Sequence, residues 1–196
     1  MRVIAGTLKG RRLQAPSWDG LRPTSDKLRE TLFNVLAPRI EGASVLDGYA
    51  GTGAVGIEAL SRGAAAVTFV ERDPRAVHLI ASNLERCAVE NRYAIIRVSF
   101  AGAATRLAGQ TFDIVFVDPP YGMRDMLSAL ETAASLVAPG GLVVVEHAAR
   151  DAAPGTSGPL AKTRDLVSGD SALSFYARSA DASGDPRSTK PEPRNL

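Results

Sequence analysis

Short apolar runs rich in β-branched and aromatic side chains recur five times between residues 44 and 146, and longer amphipathic stretches separate them. Ser44-Val45-Leu46, Ala66-Val67-Thr68-Phe69-Val70, Ile95-Ile96-Arg97-Val98, Phe112 to Val117 and Leu142 to Glu146 read as strands. Ala54 to Leu60, Pro74 to Val89, Gly102 to Leu107 and Met126 to Val137 read as helices. Strands that are apolar throughout need cover on both faces, and the intervening helices supply it. The pattern predicts the α/β class: a doubly wound, mostly parallel sheet of about seven strands once a C-terminal pair, Thr163 to Val167 and Ala172 to Ala177, is counted.

Outside this alternation the chain changes character. Arg2 to Gly6 and Arg11 to Ala15 flank Lys9-Gly10, the pattern of a small hairpin with arginines on one side. Pro23 halts extended structure, and Thr24 or Ser25 caps a helix whose Leu28, Leu32, Val35 and Leu36 share a face. Asp151 to Pro159 is loop-like, and the polar stretch from Ser179 predicts disorder. Three parts result: a hairpin and helix extension over 1–40, a main domain over 41–178 and a tail over 179–196.

Charge sharpens this division. The net charge is only +2, yet residues 1–40 hold eight bases against three acids. Arg2, Lys9, Arg11, Arg12, Arg22 and Lys27 are candidate contacts to a phosphate-bearing partner such as RNA, a solvated face being the plain alternative. Trp18 could stack on a base, although a tryptophan beside prolines more often packs down a loop. The single Cys87 excludes an internal disulfide and points to a reducing compartment. With no run of membrane-spanning length and no apolar signal core, the expected location is the cytoplasm. No Cys/His cluster has metal-ligand spacing, so no metal is expected, and a monomer is the working expectation.

Chemistry concentrates where the fourth strand stops, at Asp118-Pro119-Pro120-Tyr121. Ligands of open α/β sheets bind at such carboxyl ends. Asp118 and the Pro119 carbonyl offer two acceptors and Tyr121 a ring face, a set that suits a planar amine gripped by its two N–H bonds. A second candidate is Gly51-Thr52-Gly53-Ala54-Val55-Gly56, which satisfies G-x-G-x-x-G and suggests a dinucleotide site. Against that, Asp47 lies at the turn and would repel a pyrophosphate while attracting a cation. S-adenosylmethionine carries a sulfonium and an ammonium, and its ribose diol suits Glu71 at the end of the second strand.

The two motifs together resemble the S-adenosylmethionine-dependent amino-methyltransferases. Arg2-Val3-Ile4-Ala5-Gly6, Gly10-Arg11-Arg12-Leu13, Arg22 to Glu30 and Gly56 to Ala64 are similar, more narrowly, to the RsmD family, from Arg2 to about Glu146. That resemblance implies a Rossmann-like methyltransferase fold and methylation of the N2 amine of a guanine in 16S rRNA of the small ribosomal subunit. It assigns Asp118, Pro119, Pro120 and Tyr121 to catalysis and Asp47, Gly51, Gly53 and Glu71 to the cofactor, with Tyr49, Arg72 and Ser99 beside them. The chain departs from the expected pattern after its third strand, where Ser99-Phe100-Ala101 has no acidic residue for the adenine amine; the Ser99 hydroxyl or a backbone carbonyl is the expected substitute. His78 and His147 read as structural or surface residues. The alternatives are a methyltransferase acting on adenine or on a protein glutamine, a non-catalytic RNA-binding assembly factor and an NAD-dependent oxidoreductase.

Overall fold

The computed structural model describes residues 1–18, 24–120 and 122–179. Helix α1 (Asp26–Ile40) precedes five strand and helix alternations. β1 (Ser44–Gly48) leads through α2 (Ala54–Ser61) to β2 (Ala66–Glu71), and α3 (Pro74–Arg86) to β3 (Tyr93–Arg97). Then α4 (Phe100–Arg106), β4 (Phe112–Val117), α5 (Met123–Leu136) and β5 (Val137–Ala148) complete the parallel part. Finally β6 (Thr156–Ser157), β7 (Leu160–Ser168) and β8 (Ser171–Arg178) extend the sheet by antiparallel pairing, β8 with β5, β7 with β8 and β6 with β7.

The sheet has 8 strands in the order β3-β2-β1-β4-β5-β8-β7-β6. Successive strands step outward from β1 toward β3, then cross to β4 and β5, so the order reverses between β1 and β4 and opens a crevice at their carboxyl ends. One core layer joins α1, α2 and α3 to the sheet through Leu32, Ile57, Ile80 and Phe116; the other joins α4 and α5 through Ala103, Leu130, Val115 and Val145.

Several boundaries differ from the sequence expectation. The α3 helix stops at Arg86 rather than Val89 because Ala88 takes a left-handed φ of 51°. The α4 helix starts at Phe100 rather than Gly102, since Ser99 caps it by accepting from the Gly102 amide at 3.3 Å. Strand β3 lies over Tyr93–Arg97 in register with β2, two residues before the predicted start. Strand β5 runs well beyond Leu142 to Glu146 because β4 and β8 pair with it on both sides. The eighth strand is β6, a two-residue pairing within the stretch expected to be loop. The predicted tail from residue 180 onward lies outside the described residues.

Candidate active site

Beyond Asp47-Gly48 the chain turns through Tyr49 (φ 59°), Gly51 (φ 55°) and Gly53 (φ 75°) before α2 begins. Left-handed backbone of this kind is cheap for glycine and costly for Tyr49. Three backbone donors of the turn are consumed within the protein. Glu71 Oε2 accepts from the Gly51 amide at 2.9 Å, the Ala50 carbonyl accepts from Gly53 at 2.7 Å, and Asp47 Oδ2 accepts from Gly56 at 2.8 Å. A pyrophosphate would find those N–H groups taken, so the turn does not fit the dinucleotide alternative.

Asp47 is 1% exposed, and burial pushes its carboxyl up to about 8, opposed by the Gly56 bond and reinforced by Glu71. It sits against the head of α2, a buried support for the turn at the place the sequence assigned it. Glu71 also accepts from the Arg72 and Asp73 amides at 2.7 and 2.9 Å, which fixes its carboxylate at the end of β2. The Tyr49 ring packs 5.2 Å from Phe100, its hydroxyl pushed up chiefly by burial; Arg72 is exposed. Ser99 spends one acceptor site on capping α4. Two carboxylates beside a glycine turn fit a cationic ligand bearing a diol.

Across the crevice the Asp118 amide donates to the Gly48 carbonyl at 3.4 Å, which ties the Asp-Pro-Pro turn to the glycine turn. Asp118 is half-buried, Pro119 buried and Pro120 exposed; Tyr121 lies outside the described residues. Sequence reasoning missed Glu146. It ends the apolar part of β5 at 5% exposure and accepts from the Thr24 hydroxyl at 3.0 Å.

The N-terminal arm forms an antiparallel turn with Arg2 bridged to Arg12. Its anchor, also missed, is Glu58 of α2, 0% exposed, which accepts from the amides of Ile4 (2.7 Å) and Ala5 (3.0 Å) and from Arg62 Nε (2.8 Å). A Cβ at Gly6 would collide with the Ser61 carbonyl, and so only glycine fits that approach. Arg29 of α1, fully buried, donates to the Arg2 carbonyl at 2.6 Å and to Asp26 at 2.8 Å. Asn83 receives the Gln14 amide at 2.7 Å and donates to the Thr52 carbonyl at 2.9 Å, linking arm and glycine turn. The only sequence signal for these contacts was the similarity of the segments around Ile4, Arg29 and Glu58 to one family.

Arg2, Lys9, Arg11, Arg12 and Lys27 are exposed and make no ion pair among the described residues; Arg22 lies outside them. Trp18 packs beneath Arg75, whose guanidinium carbon is 5.0 Å from the ring centre. His78 is exposed. His147 is buried between β5 and β8, bonded to Ser174 at 2.7 Å and the Ala148 carbonyl at 2.9 Å. No described helix is long and apolar enough to cross a membrane. Among the described residues no group of three or more His, Cys, Asp or Glu side chains could hold a metal ion.

The sequence profile of the family described as Conserved hypothetical protein 95 matches residues 1–177. "Ribosomal RNA small subunit methyltransferase D" of Escherichia coli is 38% identical over 190 residues, covering 94% of this chain and 93% of that protein. The protein of the same name from Haemophilus influenzae is 38% identical over 150 residues, covering 74% and 78%. A solved Thermus thermophilus structure, described as a hypothetical protein, superposes with a TM-score of 0.74 at 32% identity over 89% of this chain and 98% of its own. With its motifs, its fold and its near full-length identity in agreement, the chain belongs to the RsmD family of ribosomal RNA small subunit methyltransferases.

Proposed function

We propose that this protein methylates the exocyclic N2 amine of a guanine in 16S rRNA, presented as rRNA or as a small-subunit particle. The observation that carries this is the joining, at the switch point between β1 and β4, of a carboxylate-flanked glycine turn to Asp118-Pro119-Pro120 through the Asp118 to Gly48 bond. S-adenosylmethionine, when bound, supplies a sulfonium-borne methyl group that a neutral amine can attack directly.

The chain's own residues prepare that amine. Asp118 and the Pro119 carbonyl accept its two N–H bonds, draw its lone pair out of conjugation with the ring and aim it. The carboxylate stands where positive charge develops on nitrogen, and it takes up the proton that the amine releases. Glu71 and the glycine turn hold the cofactor through its diol and its close backbone approach, while Asp47 supports the turn and complements positive charge. Tyr121 supplies a stacking face for the extruded base. The exposed Lys9, Arg11, Arg12 and Lys27, with Arg2 and Arg22, bind rRNA phosphates and set the position of the target without specifying its sequence. This reading places a monomer with no metal in the cytoplasm.

Transfer of tritium from methyl-labelled S-adenosylmethionine to small-subunit particles lacking the modification, followed by mapping of the labelled nucleotide, tests the reading. Label in an N2-methylguanine is expected. Label in adenine or in protein moves the assignment to the other amino substrates, and binding of rRNA without transfer moves it to an assembly factor.

A further inference from the structure

Helix α5 begins at Met123, with Gly122 at its N-cap, just beyond the Asp-Pro-Pro turn. Its buried stripe, Met126, Ala129, Leu130, Ala133 and Leu136, packs onto the sheet as the inner face of an amphipathic helix does. Met123 and Leu127 depart from that pattern: both are large and apolar, yet they are 44% and 40% exposed. Four residues apart, they stand one turn above the other on one flank of the helix, with about 5–6 Å between their Cβ atoms. Pro120, also exposed, precedes them, so apolar surface continues from the candidate catalytic turn onto the helix. The exposed Arg124 and Asp125 between them carry opposite charges, and this turn therefore offers a phosphate backbone little net attraction.

Placement decides what covers this pair. The arm that carries Arg2, Arg11 and Arg12 joins the core layer of α1 to α3 through Val3 and Leu13, whereas α5 joins the layer on the other side of the sheet through Met126 and Leu130. The carboxyl ends of β1 and β4 lie between the two. An RNA strand whose phosphates rest on the arm and whose guanine enters at those strand ends meets the first turn of α5 on its far side. Extruding that guanine strips stacking from its neighbour, and methionine and leucine are side chains that proteins set against bases uncovered in this way. Resting on the proposed function, we infer that Met123 and Leu127 form an apolar seat for the nucleobase next to the target guanine. The arm then holds RNA by charge and α5 holds it by apolar contact. Neither side chain touches the reacting atoms; the pair positions the strand so that the amine arrives in the crevice.

Small-subunit particles reconstituted with rRNA that is abasic on one side of the mapped target, and a second set abasic on the other side, supply the test, with the double variant Met123→Ser, Leu127→Ser as the partner change. On intact particles the variant is expected to lose about tenfold to a hundredfold in kcat/KM, the worth of one base's contact, with unchanged salt slope, cofactor affinity and melting temperature. Met123→Leu with Leu127→Met, which keeps the apolar surface, should retain wild-type kcat/KM. On particles abasic at the seated neighbour, wild type is expected to fall to the level of the serine variant, and the variant to fall no further. Equal proportional losses from the serine substitutions on intact and on both abasic particles would overturn the inference and point to a protein component of the particle as the occupant. Wild-type kcat/KM in the serine variant would overturn it as well. Absence of wild-type transfer to intact particles overturns the proposed function itself, and the seat with it.

Discussion

The glycine turn and the N-terminal arm are held by the same device, a carboxylate that accepts backbone N–H groups, and they differ in how far that carboxylate reaches along the chain. Asp47 grips Gly56 nine residues on, and Glu71 grips Gly51 across a separation of 20. Glu58 reaches Ile4 and Ala5 across 54 and 53 residues. The first two fix the turn at the carboxyl ends of β1 and β2. The third holds a segment whose outward side carries a row of cations. Short-range carboxylates shape a site, whereas the long-range one orients a surface.

The comparison predicts separable failures. Asp118→Ala, on the crevice side, should slow the chemical step by about a hundredfold or more while cofactor affinity holds, as removal of a preorganised transition-state partner does. Single-turnover transfer checks this, and near wild-type rates would remove Asp118 from the mechanism. Glu58→Ala strands Arg62 and the Ile4 and Ala5 amides, and loss of one partner of a buried ionic cluster costs about 3–5 kcal/mol. Denaturant unfolding should show that loss, with the 1–18 segment becoming protease-sensitive before the sheet. A folded variant with an intact arm would mean that Glu58 is not its anchor.

Glu71→Ala should weaken S-adenosylmethionine by about 1–3 kcal/mol in calorimetry, the worth of a charged hydrogen-bond partner, and leave rRNA binding alone. Reversing Arg11 and Arg12 to Glu should do the opposite, flattening the salt dependence of rRNA affinity by a log–log slope of about 0.7–0.9 per lost phosphate contact. An unchanged slope would mark these side chains as merely solvated and shift the docking surface toward Lys27 and Arg124.

The smallest effect is a pH dependence carried by Asp47. Its carboxyl, raised from 3.8 to about 8 in the folded protein, keeps a proton there that the unfolded chain has already released, so stability declines as pH rises through that window. A cationic cofactor favours the ionised form, so its affinity should climb severalfold toward pH 8 and then level. Asp47→Asn should flatten both trends; persistence of either in the variant would assign it to another group.

Periodicity carried most of the fold because five apolar strands alternating with amphipathic helices admit few arrangements. It failed where pairing rather than composition sets the limits, as at β5, stretched by partners on both sides, and at Ala88, whose left-handed backbone ends α3 early. In the candidate site, Asp47, Glu71 and Asp118 were legible because each closes a strand beside a turn with its own signature. Glu58, Asn83 and Glu146 were not. Each sits in an ordinary helical or strand pattern, and its partner, at Ile4, Gln14 or Thr24, lies at a separation that no local period encodes.

The docking of the arm also limits how the protein can be cut. Residues 1–14 close hydrogen bonds to Glu58, Ser61 and Asn83, so a shortened chain would strip buried acceptors of α2 and α3 of the donors the arm supplies. Deletion would disturb the scaffold under the glycine turn along with the cations, and loss of rRNA binding in such a truncation would say little about the cations themselves. Charge reversal at the tip leaves the clasp closed, and is the cleaner way to separate holding the RNA from holding the fold.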